Sequence, residues 1–104
     1  MFRDVAELVR VETVKNTVDE VVERQSSRQV YVSVRAVGRR EAYEAAAYGL
    51  KPEITFVLAN RADYDDEQTV RYNARDYRVI RTYFRDDGER LEIVCERLLN
   101  KGVS

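Results

Sequence analysis

The sequence predicts a mainly β protein: a small antiparallel β-barrel or sandwich of six to seven strands, with one short helix inserted before the central strands. Three observations carry that reading. The last third, from Gln68 to Leu98, reads as three consecutive alternating segments separated by turn signals. Sixteen of the 104 residues are valine, a residue suited to half-buried pleated surfaces. Only one stretch, about ten residues long, carries a helical pattern.

Taken in order, Glu7 to Lys15 alternates Val9, Val11 and Thr13 against Arg10, Glu12 and Val14. Asn16-Thr17 offers a turn, Val18 to Arg24 a weaker strand, and Gln25-Ser26-Ser27 a polar loop. Val30, Val32, Val34 and Ala36 then share one face of a cleaner strand, opposite Tyr31, Ser33, Arg35 and Val37. Gly38 marks the boundary of a helix over Arg39 to Tyr48. Its stripe is Ala42, Tyr43, Ala46 and Ala47, set either to cap the barrel or to meet another subunit. Gly49 is placed as the residue just past the helix end, and Lys51 before Pro52 is pushed to extended geometry. Pro52, the only proline, opens a strand with Ile54, Phe56 and Leu58 on one face.

Asn60 to Glu67 is an acidic loop. Thr69 to Tyr72 is a short strand ending in the turn Asn73-Ala74-Arg75-Asp76, and Tyr77 to Arg85 is a long one stopped by Asp86-Asp87-Gly88-Glu89. In Arg90 to Leu98, Leu91, Ile93 and Cys95 oppose Glu92, Val94 and Glu96. No repeat or linker divides the chain, which is expected to form one domain over residues 1–104.

Charge sets the next limits. Charged residues make up 36% of the chain, yet eighteen basic side chains face nineteen acidic ones. Residues 1–37 carry six of each sign, 38–60 three of each, and 61–104 nine basic against ten acidic. Binding to nucleic acid or a membrane surface through net charge is therefore not indicated. Fifteen of the basic residues are arginine, which favours planar pairing with carboxylates. No apolar run approaches a membrane span, and no signal peptide is visible, so synthesis in a reducing interior is expected.

Catalysis finds little support. The chain has no histidine, and its lysines, Lys15, Lys51 and Lys101, sit at predicted element ends. Gly38, Gly49, Gly88 and Gly102 are too scattered to cradle a phosphate. The single cysteine, Cys95, lies on the apolar phase of a strand, where a buried thiol is inert. Asp63, Asp65, Asp66 and Glu67 lack the glycine-centred spacing of a calcium loop and read as a solvated loop. No enzyme activity, metal or cofactor is expected.

The arginines of the closing strands admit two roles. Arg71, Arg75, Arg78, Arg81 and Arg85 are interleaved with Tyr72, Tyr77 and Tyr83. Such a face can bind single-stranded nucleic acid by stacking and phosphate contact, through Arg71, Tyr77, Arg81 and Tyr83. Alternatively the arginines pair with Glu89, Glu92 and Glu96 or with a partner subunit, which overall neutrality favours.

The order of segments also resembles a known family. A valine-rich strand leads into Val37-Gly38-Arg39-Arg40-Glu41-Ala42-Tyr43-Glu44-Ala45. Then come Leu50-Lys51-Pro52-Glu53-Ile54-Thr55-Phe56, Val70-Arg71-Tyr72-Asn73, Tyr77-Arg78-Val79-Ile80-Arg81-Thr82-Tyr83 and Leu91-Glu92-Ile93-Val94-Cys95. Over about residues 28–98 this is similar to the head–tail joining proteins of long-tailed bacteriophages, the head-closure or stopper type also called head–tail adaptors. The resemblance implies a small β-barrel with a short helical insertion, assembled as a ring, commonly twelvefold, in the virion neck. Its implied partners are copies of itself, the portal or adaptor ring, the tail or tail-terminator protein, and packaged double-stranded DNA in the channel. It implies no membrane, and synthesis in the host bacterial cytoplasm.

On that reading Gly38 to Glu53 and Asn60 to Glu67 supply docking or channel-facing surfaces that order on contact. The residues concerned are Arg39, Arg40, Glu41, Tyr43, Glu44 and Tyr48 in the first segment, and Asp63, Tyr64, Asp65 and Asp66 in the second. The family usually has Asn-Gly where this chain has Asn73-Ala74. Alanine resists positive φ, so a longer turn or another type is expected there.

Overall fold

Six strands form where apolar and polar residues alternate, and they close on one another. The computed structural model describes residues 3–85 and 87–98; Asp86, Lys101 and Gly102 of the readings above lie outside them. The strands are β1 (Asp4–Lys15), β2 (Val21–Ala36), β3 (Pro52–Leu58), β4 (Thr69–Tyr72), β5 (Arg75–Phe84) and β6 (Leu91–Arg97). The helix α1 (Arg39–Ala46) lies between β2 and β3. Around the barrel the order is β1-β2-β3-β6-β5-β4 with every neighbour antiparallel. Glu7, Leu8 and Val9 close the ring on Arg71, Val70 and Thr69. Closure leaves the barrel wall without an open edge.

The inward phase is the one the alternation predicts. Val30, Val32, Phe56, Leu58, Leu91, Ile93 and Cys95 share one buried cluster with Ala6, Leu8, Val70 and Tyr77. Phe56 sits at its centre, its ring edge-on to Tyr72 (5.4 Å between centroids) and to Tyr77 (5.7 Å). The outward phase holds a surprise, because Thr55, Val57 and Val94 are buried too. A row of ion pairs crosses that face, from Arg35 and Arg85 to Glu92 and from Arg78 to Glu96. Long arginine stems cover apolar surface while their guanidinium groups stay wet.

Three local expectations are corrected. The loop read at Gln25-Ser26-Ser27 does not exist: β2 runs unbroken for sixteen residues and pairs with β1 without a register shift. The turn between them is the one expected at Asn16-Thr17 and runs over Asn16–Glu20, where the Asn16 side chain accepts from the Val18 and Glu20 N–H groups (both 3.0 Å). Asparagine side chains mimic a turn in this way, whereas serine and glutamine sit comfortably on an exposed strand. The helix does not cap the barrel either, since none of its residues is buried. Its predicted stop is in place: Gly49 has φ of 75°, its N–H donates to Ala46 O, and the Leu50 N–H donates to Ala45 O, the paired bonds of a Schellman closure.

The third correction concerns the β4–β5 hairpin. Asn73 (φ 51°) and Ala74 (φ 62°) both take left-handed conformations between paired Tyr72 and Arg75. This is a two-residue I′ turn, and alanine tolerates it because both flanking strands are fixed by the barrel. The strain costs an L-residue about 1–2 kcal/mol, partly offset by the backbone freedom glycine would lose on folding. Ala74→Gly is expected to stabilise the protein by about 0.5 kcal/mol, read as a small rise in Tm or denaturation midpoint.

Candidate functional site

Antiparallel order sorts the connections between two ends of the barrel. The helix-bearing insertion and the Asn73–Ala74 turn lie at one end. At the other lie the Asn60–Gln68 loop, the β5–β6 turn and the β1–β2 hairpin. The two predicted groups of site residues are therefore on opposite ends and do not form one surface.

At the helix end, Arg39, Arg40, Tyr43, Glu44 and Tyr48 are exposed and Glu41 is half-buried. Tyr43 on the helix and Tyr48 in the turn that closes it leave 74% and 80% of their surface to solvent, far more than is usual for aromatics. Arg40 pairs only with Glu44 one turn on (3.5 Å). Arg39, Ala42, Tyr43 and Ala46 line a shallow hollow of about 410 Å³. Charge at this end is mixed: Arg3, Lys51, Arg75 and Arg97 share it with Asp4, Glu53, Asp76 and Glu96, and the helix carries Arg39 and Arg40 with Glu41 and Glu44. Acids predominate at the opposite end, from Asp19, Glu20 and Glu23 on the hairpin to Asp63, Asp65 and Asp66 on the loop.

The acidic loop is not a free, solvated segment. Glu67 is buried, accepts the Arg28 Nε–H (3.1 Å) and the Asp65 N–H (2.7 Å), and forms an ion pair with Arg28. Arg28 also donates to the Asp63 carbonyl, and Asp65 pairs with Arg10 (2.9 Å). Tyr64 packs against the core, and its hydroxyl donates to the Glu67 carbonyl (2.6 Å). Burial, reinforced by Asp66 and Glu67, pushes that hydroxyl up to about 12. Tyr64 and Glu67 therefore close this end of the barrel, while Asp63, Asp65 and Asp66 remain exposed on its rim. Among the described residues no group of three or more acids, cysteines or histidines is gathered to hold a metal ion.

The arginine–tyrosine face is largely dismantled. Tyr77 is buried in the core beside Phe56, so it cannot stack on a base. Arg71 pairs with Asp76 (2.8 Å). Arg81 donates to the Tyr83 hydroxyl (2.8 Å), lies over that ring, and is further held charged by Glu41 and Glu44 of the helix. Cys95 is inside the barrel, and burial alone pushes its thiol up to about 12.

Two features escape the sequence reading. Arg61 stacks over Phe84 (5.2 Å to the centroid) beside a cleft of about 370 Å³ shared with Tyr64, Thr82 and Leu91. The larger one is an arm. Beyond Val9, β1 pairs with β2 alone, so residues 10–26 form a two-stranded ribbon standing off the barrel. Only the misplaced loop at 25–27 hid it. Residues 23–29 are polar without interruption, so no alternation marks a strand there; only pairing with the alternating β1 extends β2 through them.

Fold and surfaces together define a small closed β-barrel bearing an arm at one end and an uncommitted helix at the other. No protein-family model matches the chain, and no curated protein matches it. Among solved structures it is similar to the solution structure of protein SF1141 from Shigella flexneri 2a, with a TM-score of 0.73 and 19% sequence identity over 92% of each chain. At that identity the likeness is one of fold. No helix among the described residues is long and apolar enough to cross a membrane.

Proposed function

We propose that this chain is a structural subunit of the neck of a long-tailed bacteriophage, one copy in a ring that joins the DNA-filled head to the tail and helps close the head channel. The observation that carries the proposal is the uncommitted helix. An eight-residue helix is too short to be stable in water by itself, and this one buries no side chain in its own barrel. It nevertheless has a complete glycine stop and holds two tyrosines in solvent. A partner surface gives those features a purpose, and the family resemblance assigns this insertion to docking or channel closure. The order of resemblance segments supports the same reading, since they fall on β2–α1, β3, β4, β5 and β6.

The docking role narrows to the insertion. The loop at Asn60–Glu67 is engaged in closing the barrel, so only its rim acids are available to a neighbouring ring. Replacing residues 39–48 by a short Gly-Ser linker is the decisive experiment. The variant is expected to keep the parent's melting temperature and the β-sheet part of its circular dichroism, losing only the small helical contribution, because the helix buries none of its residues in the core. In a phage carrying the change, filled heads without tails are expected. Normal infectious particles would overturn the proposal.

A further inference from the structure

The barrel wall has no free edge, but the arm has two. Past Val9, no strand lies on the outer side of β1. Before Val32, none lies on the outer side of β2. Among the described residues, no other backbone hydrogen bond reaches those outward groups of residues 10–15 and 21–31. Long edges are usually blunted by a proline, a bulge, charged side chains or a covering element, and of these the arm has only charges of both signs, Arg10, Glu12 and Lys15 on β1 and Glu23, Arg24 and Arg28 on β2. The arm has no proline and no register shift, and its sides and tip expose Val11 (52%), Val18 (67%) and Val21 (62%). A two-stranded ribbon of this kind is marginal when left in water.

We infer that the arms of neighbouring copies pair edge to edge, β1 of one subunit receiving β2 of the next as an added antiparallel strand. The two free edges belong to different strands running in opposite directions, so every copy offers one edge of each kind. Such a contact is heterologous and passes from subunit to subunit, as a ring requires. The inference rests on the neck reading for the ring itself, and on the arm for the contact.

Charge selects the register. Side chains keep their faces only if the pairing shifts by whole pairs of residues. Repeating the hairpin's own register sets Arg24 of one copy opposite Glu12 of the next, Val22 opposite Val14 and Glu23 opposite Thr13. No like charges then face each other. Sliding by two residues sets Arg10 opposite Arg24 in one direction and opposite Arg28 in the other. The barrel leaves room as well. Where β1 parts from β4, a cleft of about 340 Å³ opens between Val9–Glu12 and Asp66–Thr69. In this register the neighbour's Ser26, a small residue, arrives at its mouth opposite Arg10, and the added strand ends there because β4 already pairs with Val9.

Single-cysteine partners test the contact without intrachain bonding. Val14→Cys is mixed with Val22→Cys, and Val11→Cys with Gln25→Cys. The two pairs are three positions apart, so one of them falls on a non-hydrogen-bonded site, where the side chains come closer. Cys95 is buried and does not compete. Under mild oxidation of the concentrated full chain, a disulfide-linked dimer is expected in at least one mixture and not with Val14→Cys alone. No dimer in either mixture overturns the inference. A dimer from Val22→Cys alone also overturns it, because that reports a two-fold β2–β2 pairing. Repeating the mixtures with the linker-replaced helix separates the two readings. Cross-links retained in a protein whose loss of the helix leaves phage infectious would leave the arm contact standing and remove the neck. Cross-links absent while the helix is required for tail joining would do the reverse.

Discussion

Phe56→Ala is expected to cost about 4 kcal/mol, a large fraction of the roughly 5–15 kcal/mol that holds a domain folded. Phe56 is fully buried, and its ring is the common partner of Tyr72 on β4 and Tyr77 on β5. Truncation removes the transfer energy of a benzyl group, two edge-to-face contacts, and the filling of the barrel's interior at once. A closed barrel collapses onto a void poorly, because each strand is pinned on both sides. Phe56→Leu keeps most of the volume and is expected to cost about 1.5 kcal/mol. Urea denaturation of the two variants checks both values. A leucine variant as damaged as the alanine one would mean that aromatic geometry, rather than volume, holds the core.

Glu67→Ala is expected to cost about 2 kcal/mol, a drop in Tm of roughly 10 °C. The carboxylate is buried, and it holds both the Arg28 guanidinium and the Asp65 N–H. The figure stays below that for a fully buried pair because Arg28 is about half exposed and regains water when its partner goes. Glu67→Gln keeps an acceptor for Asp65 and loses only the charge, so about half of the loss is expected. Thermal melts of the three proteins test this order. An alanine variant that melts with the parent would return the loop to the solvated role first read for it.

Much of the barrel was legible in the chain. Period-two alternation located Val30, Val32, Phe56, Leu58, Leu91, Ile93 and Cys95 as inward, although Ala36 of the same β2 face is exposed, and Gly49 and Pro52 marked the limits of the insertion. What was not legible depended on contacts distant in sequence. Glu67 looks like the fourth acid of a polar run, and only the return of β2 brings Arg28 to it. Tyr77 looks like its neighbours Tyr72 and Tyr83, yet its phase on β5 turns it inward towards Phe56. The Asn73–Ala74 turn was misjudged because a local preference of about 1 kcal/mol was weighed without the strand pairing on either side. The insertion itself was legible as a segment, Gly38–Glu53, and of the residues named there Arg39, Arg40, Tyr43, Glu44 and Tyr48 are exposed while Glu41 is half-buried. That the helix spends nothing on its own core became visible only with the core in place.

The unbroken run of β2 has a mechanical consequence. At about 3.3 Å per residue, sixteen residues span roughly 50 Å, from the arm to the foot of the helical insertion. Nothing along it acts as a joint: no glycine, no proline and no shift of register against β1. A strand of that kind behaves as a tie rod. If the chain is the ring subunit proposed above, force applied to the arm by a neighbouring copy would be carried along it to the end of the barrel that bears the helix. Inserting two glycines at Gln25–Ser26 would be the way to put a hinge in the rod.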